Sequence, residues 1–399
     1  MISCKVTKKK LTPIMSFGKM PIANGFIKKK DFDKEFFFNM EIGFSEEISL
    51  LQLIDHPKPE MMFNNNYPFF TSSSKFMVSH FKNYSNWIKK NYGDKIKKII
   101  EIGSNDGTFL SNFKDGDISC IGFEPSSNVS ELANKRGINS IDEFFNTNTI
   151  QNVDVFMNQT DIICAANVIC HIPDLGNLFQ SVDRCLNQKG LFIFEEPYLG
   201  SMFAKTSYDQ IYDEHIYMFS ASSIQKICNL FEMELVDVLH QDTHGGSLRY
   251  VCARKKEHSI NARVKNLIDQ EKKLELDNIN SCLQFKNNCE NSKKNIREKM
   301  NFFKNENKKI CGYAATSKST TILNYCDIGP EIIDFICDTT PEKINKYSPG
   351  KHIPIKSMEH FYKNIPDLAF LFAWNHKKEI FEKEKEFSKK GKWIAHVEL

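Results

Sequence analysis

Lys98-Ile99-Ile100-Glu101-Ile102-Gly103-Ser104-Asn105-Asp106-Gly107-Thr108-Phe109-Leu110 is the stretch whose reading decides the fold. Ile99 to Ile102 form an apolar run broken by one acid, the pattern of a strand buried on both faces. Glycines 103 and 107 then let the backbone turn and pass close to a ligand, and Phe109 and Leu110 read as the first turns of a helix. Outward from this point, Cys120-Ile121-Gly122-Phe123, Ile162-Ile163-Cys164-Ala165 and Gly190-Leu191-Phe192-Ile193-Phe194 read as further buried strands separated by amphipathic stretches. Between Lys95 and Gly200 the chain is therefore a βαβ succession carrying a parallel sheet.

The loop itself suits a nucleoside. A dinucleotide pyrophosphate wants the G-x-G-x-x-G spacing, whereas position 105 is Asn and the third glycine is missing, which disfavours a dinucleotide-dependent reductase or epimerase. The next strand ends in Glu124, about 20 residues further on and placed to accept both ribose hydroxyls. Acid at both strand ends favours S-adenosylmethionine (SAM), whose sulfonium is cationic and which carries no phosphate to repel.

A smaller α/β unit begins near Lys309, with strand Ile310 to Tyr313, a helix from about Ser317, strand Ile332 to Cys337 and strand Leu368 to Phe372. Between the two units, Ser247 to Cys311 holds neither Gly nor Pro. There Val264, Leu267, Ile268, Leu274, Ile279, Leu283, Ile296, Met300 and Phe303 recur at helical spacing, so one or two long, charged helices connect the domains. The first 70 residues follow neither pattern and read as a small, irregular N-terminal domain. Boundaries fall at 1–70, 71–255, 256–308 and 309–399.

Composition excludes several classes of function. With 41% apolar and 26% charged residues over 399 positions, the chain is an ordinary folded protein. Its 53 Lys+Arg against 50 Asp+Glu give a net charge of +3, which implies neither nucleic acid nor an anionic membrane as partner. The first twenty residues are polar and lysine-bearing, and no apolar run reaches about 18 residues, so a cytoplasmic location is expected. Twelve cysteines without a CxxC pair read as reduced, buried thiols. Oligomeric state is open, with a monomer favoured.

After the strand ending at Phe194 comes Glu195-Glu196-Pro197-Tyr198, then Tyr208-Asp209-Gln210-Ile211-Tyr212-Asp213-Glu214-His215-Ile216-Tyr217-Met218-Phe219. Acids, a His and several Tyr crowd the mouth of a parallel sheet. His is the side chain best suited to take a proton near neutral pH, and an adjacent carboxylate or phenol orients it.

Together with Met20-Pro21-Ile22-Ala23-Asn24, Phe123-Glu124-Pro125-Ser126, Asn167 to Pro173, Thr243 to Ser247, Gly312 to Tyr325, Ser348 to Pro354 and Trp374-Asn375-His376, these blocks resemble a known family over essentially the whole chain. It is that of the SAM-dependent C-methyltransferases of nucleotide-linked deoxysugar biosynthesis. The resemblance implies a class I SAM-methyltransferase Rossmann-like central domain and a second, C-terminal α/β Rossmann-like domain that helps hold a nucleotide-linked 4-keto-6-deoxysugar. It places His215 as base, with Tyr212, Glu214, His171 and Tyr67 beside it. Glu101, Gly103, Ser104, Asn105, Gly107, Glu124, Pro125 and Asn167 would surround SAM, and Tyr67, Tyr198, His244, Lys318 and Asn375 the sugar nucleotide. The implied chemistry is methylation at C-3. The alternatives are O-methylation of a similar sugar and a non-catalytic SAM- or nucleotide-sugar-binding module.

The family's N-terminal domain carries four cysteines on one structural zinc. Here Cys4 stands at the first position, but Thr7, Ser45 and Ile48 occupy the other three. No zinc is expected, and the domain should be held by packing of Phe36, Phe37, Phe38, Leu50, Leu51 and Leu53.

Overall fold

The computed structural model describes residues 2–65, 67–114 and 116–399. The N-terminal part supplies strands β1 (Thr12–Pro21), β2 (Phe37–Ser45) and β3 (Leu50–Leu53). The central part supplies β4 (Lys98–Ile102), β5 (Ser119–Phe123), β6 (Ser140–Ile141), β7 (Thr160–Ala166), β8 (Leu186–Pro197), β9 (Tyr217–Met218), β10 (Met233–Gln241) and β11 (Ser247–Arg254). The C-terminal part adds β12 (Ile310–Tyr313), β13 (Phe335–Asp338), β14 (Ile355–Ser357), β15 (Leu368–Leu371) and β16 (Lys392–Ile394).

The central sheet runs β10-β11-β8-β7-β4-β5-β6. Strands β4 to β8 pair in parallel, and β11 lies antiparallel between β8 and β10. Chain order reverses between β4 and β7, so a cleft opens at the carboxyl ends of these strands. The C-terminal sheet, β14-β13-β12-β15-β16, is wholly parallel and has its own switch point between β12 and β15. This is the α/β architecture expected, with two separate sheets.

The N-terminal region is more regular than its sequence suggests. β1, β2 and β3 form an antiparallel sheet, completed by β9 from the central part through Leu51↔Met218 and Gln52↔Tyr217. Two register shifts in β1, between Pro13 and Met15 and between Ser16 and Gly18, break the alternation that would mark it as a strand. Phe38, Leu50, Leu51 and Leu53 are buried as expected, but Phe36 and Phe37 are each 42% exposed and take no part in the core. The expected helix at Phe109 is instead a short 3-10 turn over Leu110–Phe113, whose Leu110 and Phe113 plug into the core with Phe109 while Ser111 stays exposed. Ile332 and Ile333 lie in a turn before β13.

Two helices, Ala262–Lys273 and Ile279–Asn305, join the α/β domains. Val264, Leu267 and Ile268 pack into the central core, whereas Cys282, Phe285, Cys289, Ile296 and Met300 share a core with the N-terminal sheet and the C-terminal domain. Leu274 and Leu283, expected on the buried stripe, are 63% and 44% exposed. All twelve cysteines are free, and all but half-buried Cys120 are buried. No helix among the described residues is long and apolar enough to cross a membrane.

Helix Lys75–Tyr92 starts at Ser74, whose hydroxyl accepts the Met77 amide, and packs Met77, Phe81, Tyr84 and Ile88 on the sheet. A buried ion cluster fixes it there. Glu195 accepts from Arg249 Nε at 2.8 Å and from His80 Nε2 at 2.6 Å, and the guanidinium lies 3.8 Å from the Tyr84 ring centre. Burial alone would raise the Glu195 pKa, but His80 and Arg249 hold it below the usual carboxylate range. Arg249→Met leaves that carboxylate without its main counter-charge and should destabilise the fold by about 3–5 kcal/mol in urea unfolding, with part recovered in Arg249→Met/Glu195→Gln.

Candidate active site

The carboxyl ends of both parallel sheets face one cavity of about 900 Å³. That is near the upper end of the range of about 300–1,000 Å³ for small-molecule sites, roomy enough for two ligands. From the central domain come the loops after β4, β5 and β7, and from the C-terminal domain those after β12, β13 and β15. Every sequence-predicted site residue lines this space except Gly107, which sits behind the cofactor loop, and Tyr198, which is turned toward Glu271 beside the central core.

The loop after β4 is shaped by backbone need. Gly103 (φ 68°) lies so close to Val168 that a Cβ would come within 2.3 Å of it. Asn105, at the place a dinucleotide loop gives to glycine, also adopts a left-handed conformation (φ 48°), which Asn tolerates best among side-chain-bearing residues. Glu124 fixes the arrangement: Oε2 accepts the Asn105 amide at 3.0 Å and Oε1 the Ser126 amide at 2.8 Å. Segment Phe69–Ser72 lies over this loop, stitched by Thr71 N to Asn105 Oδ1 and Ser72 N to Asp106 Oδ2.

Glu101 is buried, and its Oε2 has no hydrogen-bond partner. Burial, with Asp106 and Glu124 nearby, pushes its pKa well up. A cation in the cavity would offset that cost. Asn167, at the end of β7, adopts φ 57° and also lines the cavity. Glu196, quoted in the sequence cluster without a role, accepts the amides of Val168, Ile169 and Cys170 on one oxygen and so fixes the loop that carries His171. Burial pushes Glu196 up to about 7 against those donors.

The reactive cluster has defined hydrogen positions. His215 Nδ1 lies 2.7 Å from the Gln210 carbonyl, which only accepts, so the proton is on Nδ1. Nε2 then accepts from the Tyr212 hydroxyl at 2.7 Å. Burial, then His171, hold His215 well below the usual histidine range, and burial with Glu214 keeps Tyr212 well above that of a phenol. Near neutral pH the pair is an uncharged base with a phenol donor on its lone pair. Glu214 faces the same space and is pushed up to about 7 by burial, against a hydrogen bond from Asn24 Nδ2 at 2.7 Å.

The opposite wall is cationic. Lys318 is buried near the start of helix Ser317–Tyr325, with Nζ 3.1 Å from Asn375 Oδ1 and 5.0 Å from the Trp374 ring centre. Lys343, whose Nζ donates to the Ala315 carbonyl at 2.8 Å, and His376 stand in the same wall. Lys343 had not been singled out in the sequence, and His376 stood in a quoted block without a role. Their signal was position alone, since both follow strands of the C-terminal sheet.

Models of three families tile the chain. A "Putative zinc binding domain" matches residues 4–63, a "Methyltransferase domain" residues 78–238 and a "C-methyltransferase C-terminal domain" residues 242–397. C-methyltransferase NovU of Streptomyces niveus is 28% identical over 384 residues, covering 95% of this chain and 90% of its own. The chain is a SAM-dependent C-methyltransferase. Solved structures similar to this C-methyltransferase include the PH0226 protein of Pyrococcus horikoshii OT3, at 14% identity and TM-score 0.37, covering 47% of this chain and 95% of that one. Another is the O-methyltransferase of a trans-AT PKS multienzyme of Brevibacillus brevis, in complex with S-adenosyl-L-homocysteine, at 12% identity and TM-score 0.36, covering 52% and 82%.

Zinc was tested against the donors of the C-methyltransferase's N-terminal domain. A structural site needs about four thiolate or imidazole ligands. Cys4 is the first and only thiol before Cys120, and its Sγ accepts from Gln52 Nε2 at 3.2 Å while Gln52 Oε1 accepts the Lys5 amide at 2.9 Å. Ile48 is buried and bears no donor, and Ser45 offers only a hydroxyl. These residues do not fit a structural zinc.

Glu124 lines the cavity and keeps lone pairs free for further donors, as a ribose would offer. Glu124→Ala removes those acceptors and the clamp on Asn105, so SAM affinity measured by calorimetry should fall by about 1–3 kcal/mol.

Proposed function

We propose that the C-methyltransferase acts on a nucleotide-linked 4-keto-6-deoxysugar, at C-3. The observation that carries the reading is the polarity of the cavity. Glu101 and Glu124 lie on the central domain's side, suited to a cationic cofactor, and Lys318 and Lys343, with Glu342 the one acid beside them, on the C-terminal side, suited to an anionic diphosphate. The helix starting at Ser317 adds its N-terminal amides to that wall. Similarity to a C-methyltransferase over nearly the whole chain supports the same reading.

Carbon becomes nucleophilic only after losing a proton, and a neighbouring ketone makes that proton acidic. His215 Nε2 accepts the C-3 hydrogen as a proton, and the electron pair of the broken C–H bond passes to the 4-keto oxygen as an enolate. Nε2 is available only when the Tyr212 hydroxyl leaves it. The same hydroxyl, turned toward the substrate, donates to the enolate oxygen, so release of the base and stabilisation of the charge are one motion. His171, half-buried beside His215 with ring centres 5.2 Å apart, is a second donor within the pocket. SAM, when bound, would supply an electrophilic methyl group to that carbon. Glu101 and Glu124 hold and orient that cofactor, and Phe63, Phe69 and Phe70 keep water from the enolate.

Labelled SAM and a panel of nucleotide-linked 4-keto sugars test the reading, with product NMR locating the methyl group on carbon or oxygen. His215→Asn should lose on the order of a hundredfold or more in kcat while SAM still binds, and Tyr212→Phe should lose less. With substrate deuterated at C-3, wild-type enzyme should yield methylated product free of the label, and His215→Asn should leave the label in place. A methyl group found on oxygen would overturn the C-3 assignment.

We also propose that the N-terminal domain is metal-free, with Gln52 bridging Cys4 to the Lys5 amide where four thiolates would otherwise converge on an ion. Elemental analysis of tag-free protein should find far less than one zinc per chain. About one zinc would show a ligand set not recognised in this sequence.

A further inference from the structure

The loop Pro21–Asn24 belongs to the N-terminal part of the chain, yet it threads between the reactive loop and the C-terminal domain. Its contacts are directional. The Ala23 amide donates to Asp213 Oδ1 at 3.0 Å, and the Ala23 carbonyl accepts from Thr320 Oγ1 at 2.8 Å. Asn24 Nδ2 donates to Glu214 Oε1 at 2.7 Å, and Asn24 Oδ1 accepts from Ser317 Oγ at 3.1 Å. Because a carboxylate only accepts, the Nδ2 end of the Asn24 amide faces Glu214, and Oδ1 is left to accept from the Ser317 hydroxyl. Asn24 and Ser317 line the cavity together with Glu214, and Lys318 follows Ser317 in the same turn.

Resting on the proposed role of the His215 loop, we infer that Asn24 is a positioning residue for methyl transfer: pinned by Ser317, its carboxamide holds Glu214 as a carboxylate aimed into the cavity. Glu214 needs such a donor. It is buried beside Asp213, whose Oδ2 has no partner, and like charges on neighbouring buried carboxylates oppose each other's ionisation. The other groups facing it are Tyr212 and His215 of its own loop, Tyr67 of the covering segment, and Cys170 and His171 of the loop after β7. Lys318 lies across the cavity. Among the described residues, the only side-chain hydrogen bond to Glu214 comes from Asn24. The N-terminal and C-terminal domains thus jointly set the charge of a residue in the central domain.

Removing the donor raises the Glu214 pKa, so whichever form the reaction uses, the inflection it gives to the pH profile moves up. The test uses the full chain with Asn24→Ala and Ser317→Ala. The Glu214 carboxyl is titrated by 13C NMR on glutamate-labelled protein, its signal identified with Glu214→Gln, and SAM affinity is followed by calorimetry. Asn24→Ala should raise the Glu214 inflection by about one pH unit and Ser317→Ala by less, with SAM affinity unchanged. On a sugar accepted by the wild type, kcat should fall on the order of tenfold in Asn24→Ala with its pH inflection displaced in the same sense. An unmoved inflection in both variants overturns the inference even if no sugar in the panel turns over. A fall in kcat with an unmoved inflection, or a loss of SAM binding, overturns it as well. Should Asn24→Ala fail to fold, the inflection in Ser317→Ala decides.

Discussion

Enclosure of a single segment, Tyr208–Phe219, by every part of the chain is the constraint on which the site depends. Tyr217 and Met218 extend the N-terminal sheet beside β3, and Ala23 and Asn24 hold the two acids between them and Tyr212. Thr321 Oγ1 of the C-terminal domain donates to the Ile211 carbonyl, and Trp374 Nε1 donates to Asp209 at 2.7 Å. The Ile216 amide reaches the Cys170 carbonyl in the central domain. None of these contacts is local in sequence. The loop that carries His215 is therefore held by contacts from every part of the chain, above a core shared by the N-terminal sheet, the long helix and the C-terminal domain.

That requirement clarifies what the two α/β sheets contribute. Each opens at its own topological switch point, and the two openings face each other. A cleft at the carboxyl ends of parallel strands takes ligands whatever the fold's chemistry. Division of charge between the walls then assigns which ligand goes where. Acids crowd the central side, where Glu101 and Glu124 end adjacent strands, and lysines follow strands on the other.

Much of the cofactor side was legible in the sequence because its determinants are local: a buried strand, two glycines and an acid ending the next strand fall within Ile99 to Glu124. The N-terminal sheet was not, since bulges interrupt the alternation of β1 and the partner strand β9 has only two residues supplied from more than 160 positions away. Phe36 and Phe37 misled for a related reason. Apolar identity predicts burial only where the register is known, and here both lie at the exposed start of β2. Asn24 stood in a quoted motif without a role because its partners, Glu214 and Ser317, are 190 and 293 residues distant. The opposing lysine wall depended on how two domains dock, which no periodicity encodes.

Buried acids without counter-charges are costly to ionise in and beside the cavity. Glu101 Oε2 and Asp213 Oδ2 have no hydrogen-bond partner, and Glu196 Oε2 likewise lacks one. Leaving such groups unpaired in a low-dielectric site opposes folding, unlike the Glu195 cluster, where Arg249 and His80 satisfy the charge internally. The contrast separates two uses of the same residue type. Where the protein supplies the cation, the carboxylate locks a helix to a sheet; where it does not, as at Glu101, burial and neighbouring acids drive the pKa up. A cationic cofactor at Glu101 would stabilise the folded state in proportion to its binding, so occupancy and stability are thermodynamically linked.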